Sequence, residues 1–203
     1  MINSSIKLNG PLCKGQFITL GWPLKSEFDL ITCLRNSNDV RKYFFNSNSL
    51  DLEKNRFWLE YGINKPLESM LSIRYGNEDC FIGTIGWDKF DVEKKTIEIG
   101  RLMLDKKRVR DIIKYIPKDY IGFAKDACLT LRDYAMIQLN VDKIYANIIS
   151  SNILSKKIAE WVGAAKYDSR YKTLPDGALV QFEMYMLEKQ KWIKFEKHEI
   201  IIY

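Results

Sequence analysis

Along this chain the spacing of hydrophobic positions switches between a period of two and a period near 3.6, and each switch marks a change of element. Gln16 to Gly21 alternates weakly and predicts a first strand, which Pro23 breaks. Ser26 suits an N-cap for a helix that buries Leu30, Ile31 and Leu34. Asp51 to Tyr61 predicts another short helix with Phe57, Trp58 and Tyr61 on one side. After Pro66 the period becomes two, and Met70–Tyr75 and Cys80–Trp87 flank the turn Gly76-Asn77-Glu78-Asp79 as a hairpin. A further turn at Asp91 to Lys95 leads into the strand Thr96 to Leu104.

The second half is read the same way. Helix Ile121 to Leu139 carries an apolar stripe at Ala124, Ala127, Cys128, Leu131 and Ala135, so it must lie on a sheet. Lys143 to Ile149 reads as a buried strand. Ser151 or Asn152 then caps a helix that buries Leu154, Ile158, Trp161 and Val162 before Gly163 ends it. Tyr171 to Leu187 is a final hairpin turning at Pro175-Asp176-Gly177, with Val180, Phe182, Met184 and Met186 alternating along its second strand. The order is strand, helices, three strands, helix, strand, helix, two strands. No repeat or linker divides it, so residues 1–203 read as one domain, with a core of about 16–187 and a C-terminal extension over 188–203.

Strict alternation over Thr96 to Leu104 places Glu98, Gly100 and Leu102 on one face, with Ile97, Ile99, Arg101 and Met103 on the other. A carboxylate inside such a strand must face water, a partner charge or a ligand, because burying it unpaired is costly. Glu98 therefore either pairs with a neighbouring Lys or Arg, or serves as a general base raised toward the working pH by partial burial.

Gly122-Phe123-Ala124 opens the long helix, where backbone N–H groups without intrahelical partners and the positive end of the dipole suit a phosphate. Close packing of helix on strand explains the same small residues. The connection before it, from Asp105, holds Val109, Ile112, Ile113 and Ile116 at helical spacing among Lys106, Lys107, Arg108 and Arg110. It predicts a short amphipathic helix with a basic, solvated face, or a lid that meets phosphates. Near the N-terminus, Arg35 and Arg41 precede the adjacent aromatics Tyr43, Phe44 and Phe45. These form either a plug in the core or an acceptor-binding wall in which an arginine grips an anionic group.

Composition narrows the classes. With 46% hydrophobic and 29% charged residues the chain looks like an ordinary globular protein. Without a long apolar run or a signal-like N-terminus, neither membrane insertion nor export is expected, and a cytoplasmic location is the default. Cys13, Cys33, Cys80 and Cys128 are widely spaced and fit buried free thiols. His198 is the only histidine, which argues against a histidine triad or a metal site. A net charge of +6 allows nucleic acid, but no aromatics interleave with a basic stripe, so no specific nucleic-acid binding is expected.

Ile97-Glu98-Ile99-Gly100 on the fourth strand, Gly122-x-Ala124 opening a helix that ends in Asp133-Tyr134-Ala135, and Asn152-x-x-Ser155 followed by Glu160-x-x-Gly163 together resemble the GCN5-related N-acetyltransferase (GNAT) superfamily. The similarity spans about Gln16 to Leu187. It is greatest to the branch with the ribosomal-protein N-terminal and bacterial amino-sugar acetyltransferases, whose start is similar to Arg35-Asn36 and Val40-Arg41 here. With the element order, the resemblance implies an α+β fold, a mixed, mostly antiparallel sheet of about seven strands flanked by helices. It implies acetyl-CoA as acyl donor, in a cleft where the fourth and fifth strands splay. Phosphates would meet the backbone of Gly122, Phe123 and Ala124. Leu102, Met103 and Leu104 would line the thioester and pantetheine, as would Asn152 and Ser155, and Glu98 would act as base. Arg35, Arg41, Tyr43 and Phe44 would bind the acceptor.

The chain departs from the family pattern in three places. Asp119 stands where the phosphate loop begins with Arg or Gln, Ala159 where many members place a general-acid Tyr, and the 105–119 connection is long. Tyr120, Tyr167 and water remain candidates for the acid. The implied function is N-acetyl transfer to the primary amine of a small molecule, with an amino sugar or its nucleotide as the candidate acceptor. A protein N-terminus is an alternative acceptor, and a non-catalytic CoA-binding domain a further alternative. The amphipathic Lys189 to Tyr203 segment packs on the domain or on a second subunit, which would make a homodimer.

Overall fold

The computed structural model describes residues 11–62, 67–76, 80–194 and 200–202. In chain order the strands are β1 (Pro11–Lys14), β2 (Ile18–Gly21), β3 (Ser69–Tyr75), β4 (Cys80–Asp91), β5 (Thr96–Leu104), β6 (Lys143–Ile149), β7 (Ala165–Thr173), β8 (Leu179–Glu188) and β9 (Ile201–Ile202). The helices are α1 (Phe28–Asn36), α2 (Asn38–Arg41), α3 (Leu52–Phe57), α4 (Lys106–Ile113), α5 (Phe123–Ile137), α6 (Ile153–Trp161) and α7 (Lys189–Trp192). The strands form one mixed sheet ordered β7-β8-β6-β5-β4-β3-β2-β1-β9. Every neighbouring pair in it is antiparallel except β5 with β6.

Helices cover both faces. On one, the small residues Ala127 and Ala135 with Leu131 let α5 lie close against Leu71, Ile73, Ile85 and Ile97. On the other, Phe28 and Ile31 of α1 and Leu59 pack on Met70, Phe81 and Met103. Buried Arg74 of β3 pairs with Glu27 at 2.8 Å and also donates to the Trp22 carbonyl, while Ser72 Oγ donates to the same carboxylate. That charge pair ties the entry of α1 to the sheet without leaving a lone ion inside.

The α+β class and the mixed sheet stand as expected, but the described residues form nine strands rather than about seven. The additional ones are β1, four residues beginning at a proline, and β9, two residues that pair with Cys13 and Lys14. The C-terminal extension therefore returns to its own sheet, and Trp192 of α7 donates to Asp133 Oδ1 at 2.7 Å. Several expected burials fail. Leu154 and Trp161 of α6 are exposed and only Ala159 of that helix is buried. Phe57 and Tyr61 are also exposed, leaning on each other at 5.0 Å. Cys33 is exposed, whereas Cys13 is buried. Positions 77–79 of the first hairpin turn and His198 lie outside the described residues.

Candidate active site

Parallel pairing of β5 with β6 runs only over Thr96, Ile97 and Glu98, against Lys143, Ile144 and Tyr145. Beyond Glu98 the two strands part, while β5 stays paired to β4 on its other side through Gly100–Gly86 and Met103–Thr84. Arg101 takes a left-handed backbone, φ 57°, and the register shifts there by a bulge. One inserted residue reverses the alternation. Met103 thus joins the α1 side with Phe28, and Leu102 the α5 side, contrary to the strict alternation expected from the sequence. A Cβ added at Gly100 would meet nothing within 4 Å, so the floor of the opening is clear.

The start of α5 faces open space too. Gly122, its N-cap, has φ 95°, and a Cβ there would likewise meet nothing within 4 Å. Beneath it, buried Asp126 accepts from the backbone of Gln16 and Phe17 and from Tyr120 Oη, at 2.9–3.0 Å. Phe123 is buried edge-on between Tyr75 and Tyr120. These contacts fasten the helix start, so the N–H groups of its first turn are held in place for an anion. Clear space at Gly100 and Gly122, β5 without a β6 partner past Glu98, and a fixed helix start of the right sign fit the acyl donor implied by the resemblance.

Asp119 is exposed, and α4 carries the basic residues Lys106, Lys107, Arg108 and Arg110. Val109, Ile112 and Ile116 of the connection pack on the core as their spacing predicts, but Ile113 is exposed. Lys106 reaches Asp39 at the start of α2, 2.6 Å away. Asn152 Oδ1 caps α6 by accepting from Ser155 N at 3.2 Å, so these two residues define the helix start.

Glu98 is paired with Lys89 at 2.6 Å. It is not isolated, because Asp88 stands directly across from it on β4. Arg101 donates to both Asp88 and Glu68, and its guanidinium lies 5.5 Å from the Trp58 ring centre. Burial, opposed by Arg101 and reinforced by Glu68 and Glu98, pushes the Asp88 carboxyl above its ordinary value. Three carboxylates thus gather on one face where β5 and β6 begin to part. Asp88 and Glu68 were missed by the sequence reading, because the turn that pairs Asp91 with Thr96 would set Lys89 opposite Glu98, and only the register shift between Asp88 and Asp91 brings Asp88 there.

The expected acceptor wall divides. Arg35 is 7% exposed; it stacks on Phe44 at 4.0 Å and donates to the Asn46 carbonyl, which holds the loop after α2. Burial and nearby Arg41 push its pKa down. Arg41 instead lines an open groove of about 570 Å³ with Lys42 and Asp176, and Lys42 lies over the Tyr43 ring. Of the candidate acids, Tyr120 is raised by burial and Asp126. Tyr167, which packs on Tyr145, is raised by burial and by Tyr145. Ala159 is buried.

Among solved structures, the chain is similar to a GNAT-family acetyltransferase from Bacillus anthracis, with 15% identity, TM-score 0.70, and 88% of this chain and 99% of that one covered. It is also similar to a spermidine N-acetyltransferase from Vibrio cholerae solved with CoA and spermine, with 15% identity, TM-score 0.73, and coverage of 87% and 98%. A probable GNAT acetyltransferase from Chromobacterium violaceum gives 12% identity and TM-score 0.72, with 95% of each chain covered. No curated protein matches. The acetyltransferase (GNAT) domain family matches residues 20–165, spanning the parted strands, the carboxylates and the start of α5; the chain belongs to that family, acyltransferases that use acetyl-CoA as donor.

Proposed function

We propose that this protein acetylates the primary amine of a small cationic molecule at the opening between β5 and β6. The observation that carries the reading is the gathering of Glu68, Asp88 and Glu98 on one face at that opening, with Arg101 and Lys89 as their only described ion-pair partners. Such a face attracts an ammonium, and because its negative charge also favours the protonated form, the amine needs a base in contact with it before it can attack. Acetyl-CoA supplies an activated thioester. Backbone N–H groups of β5 near Leu102 polarise the thioester oxygen, and Glu98 takes the proton of the amine, directly or through one water. The amine nitrogen bonds the acetyl carbon, the C–S bond breaks, and CoA leaves as a thiolate that is protonated from water. The similar fold of a spermidine acetyltransferase supports an amine acceptor.

An amino sugar or its nucleotide is a second reading, favoured by the groove that Arg41 and Lys42 line. Thiol release from acetyl-CoA, followed across alkyl amines, polyamines, amino sugars and sugar nucleotides, separates them. Saturable turnover of cationic amines is expected. Turnover confined to phosphate-bearing amino sugars would replace the first reading with the second, and turnover confined to peptide N-termini would overturn both.

A further inference from the structure

We infer that Phe45 sets how long an acceptor the cleft admits, an inference that rests on the amine-acceptor function proposed above. The loop after α2 is fastened to the end of α1 at two points. Arg35 donates to the Asn46 carbonyl. Asn36 exchanges two hydrogen bonds with Leu50, its Nδ2 donating to the carbonyl at 2.9 Å and its Oδ1 accepting from the N–H at 2.7 Å. Immediately before the first anchor the Phe45 ring crosses to the last hairpin. It meets the Phe182 ring of β8 edge-on at 5.3 Å, and Lys172 Nζ of β7 lies 4.7 Å from its centre.

This bridge differs from ordinary core packing. Phe45 and Phe182 are each half-buried, and neither belongs to the two apolar clusters of the described residues. Open space adjoins the loop: Phe45 and Lys172 themselves border a groove of about 420 Å³ with Asn46 and Pro175, and Ser47 to Ser49 border the groove of about 570 Å³ near Arg41 and Asp176. A loop that served packing alone would fill the space beneath it. This one borders open space and meets the hairpin through the Phe45 ring.

The register shows what the bridge closes. Phe182, Met184 and Met186 alternate along one face of β8, opposite Ile149, Asn147 and Tyr145 of β6. Tyr145 is in turn opposite Glu98. Four residues separate the Phe182 and Met186 positions, which is ~13 Å along a strand. Phe45 therefore stands at one end of a strip whose other end is the carboxylate face. Glu98 lies two strands across from Met186, a further ~10 Å, so an acceptor with its amine at Glu98 has ~16 Å before it meets the ring, and Lys172 there repels a second ammonium. Short amines fit beneath the bridge; long polyamines must displace it.

The test measures kcat and KM for linear amines of increasing length that end in primary amines, from diaminopropane to spermine, with the full chain and three variants. Phe45→Ala is expected to raise the long-to-short ratio of kcat/KM at least tenfold, through a lower KM for the long amines. Phe182→Ala should reproduce that change, and Phe45→Trp should move the ratio the other way. An unchanged rise of unfolding midpoint with acetyl-CoA confirms that each variant is folded. Length profiles equal within twofold in four active proteins would overturn the inference alone. Transfer to no amine by any of them would overturn the amine-acceptor reading, and this inference with it.

Discussion

Lys89 Nζ lies 2.6 Å from Glu98 Oε2, the two residues standing on either side of the turn that joins β4 to β5. Lys89 reaches this position from a left-handed backbone, φ 51°, and its side chain is mostly exposed, while that of Glu98 is mostly covered. An exposed cation can yield to an incoming ammonium, whereas the carboxylate stays at the opening.

If Glu98 is the base, Glu98→Gln lowers kcat/KM by about a hundredfold or more, with acetyl-CoA binding unchanged. Lys89→Ala is expected to change stability by less than about 1 kcal/mol, because the pair is solvent-screened, and to lower the KM of cationic amines. Steady-state kinetics and thermal unfolding of both variants check this. Full turnover by Glu98→Gln would remove Glu98 from the reaction.

Gly122→Ala places a side chain in the left-handed region at φ 95° without any steric clash. The strain alone is expected to cost about 1–3 kcal/mol. The added methyl also enters the space before the first turn of α5, so the midpoint shift produced by acetyl-CoA should shrink by more than the stability loss explains. An unaltered shift would mean that no phosphate approaches this glycine.

Asp88 gives a pH signature. Its folded pKa is raised, so the folded state holds the proton more tightly than the unfolded chain. That contribution is fully present below the unfolded value, near 4, and is lost as pH rises through the folded pKa. Asp88→Asn removes the cost of the ionised form. The midpoint difference, variant minus wild type, should therefore be more positive at pH 7 than at pH 3.5. The opposite trend would mean that the pairing with Arg101 outweighs burial.

Trp192→Phe deletes a buried hydrogen bond to Asp133, whose other described partner is the neighbouring Arg132, and keeps the apolar contact of the ring. A loss of about 1–3 kcal/mol is expected in denaturant unfolding, since an ionised acceptor loses a donor. No loss would show that the C-terminal segment adds nothing to the sheet it borders.

Local pattern carried much of this protein. The order of elements, the stripe of α5, the Asn152 cap and the glycine opening α5 all follow from side-chain periodicity and local backbone preference, which act within a few residues. So did Glu98, because a carboxylate amid alternating apolar positions is conspicuous. Tertiary structure alone decided which alternative each residue takes. The bulge at Arg101 exchanged the faces of Leu102 and Met103, since a one-residue insertion depends on how β4 and β5 meet and not on composition. Arg35 turned inward and Arg41 outward because the Asn46 carbonyl lies beside one and not the other. Glu68, Asp88 and Glu98 lie up to thirty residues apart, and only pairing of strands brings their charges together. Likewise β9 exists because an unpaired edge at β1 offers hydrogen bonds that two isoleucines can take, a long-range contact that no local window contains.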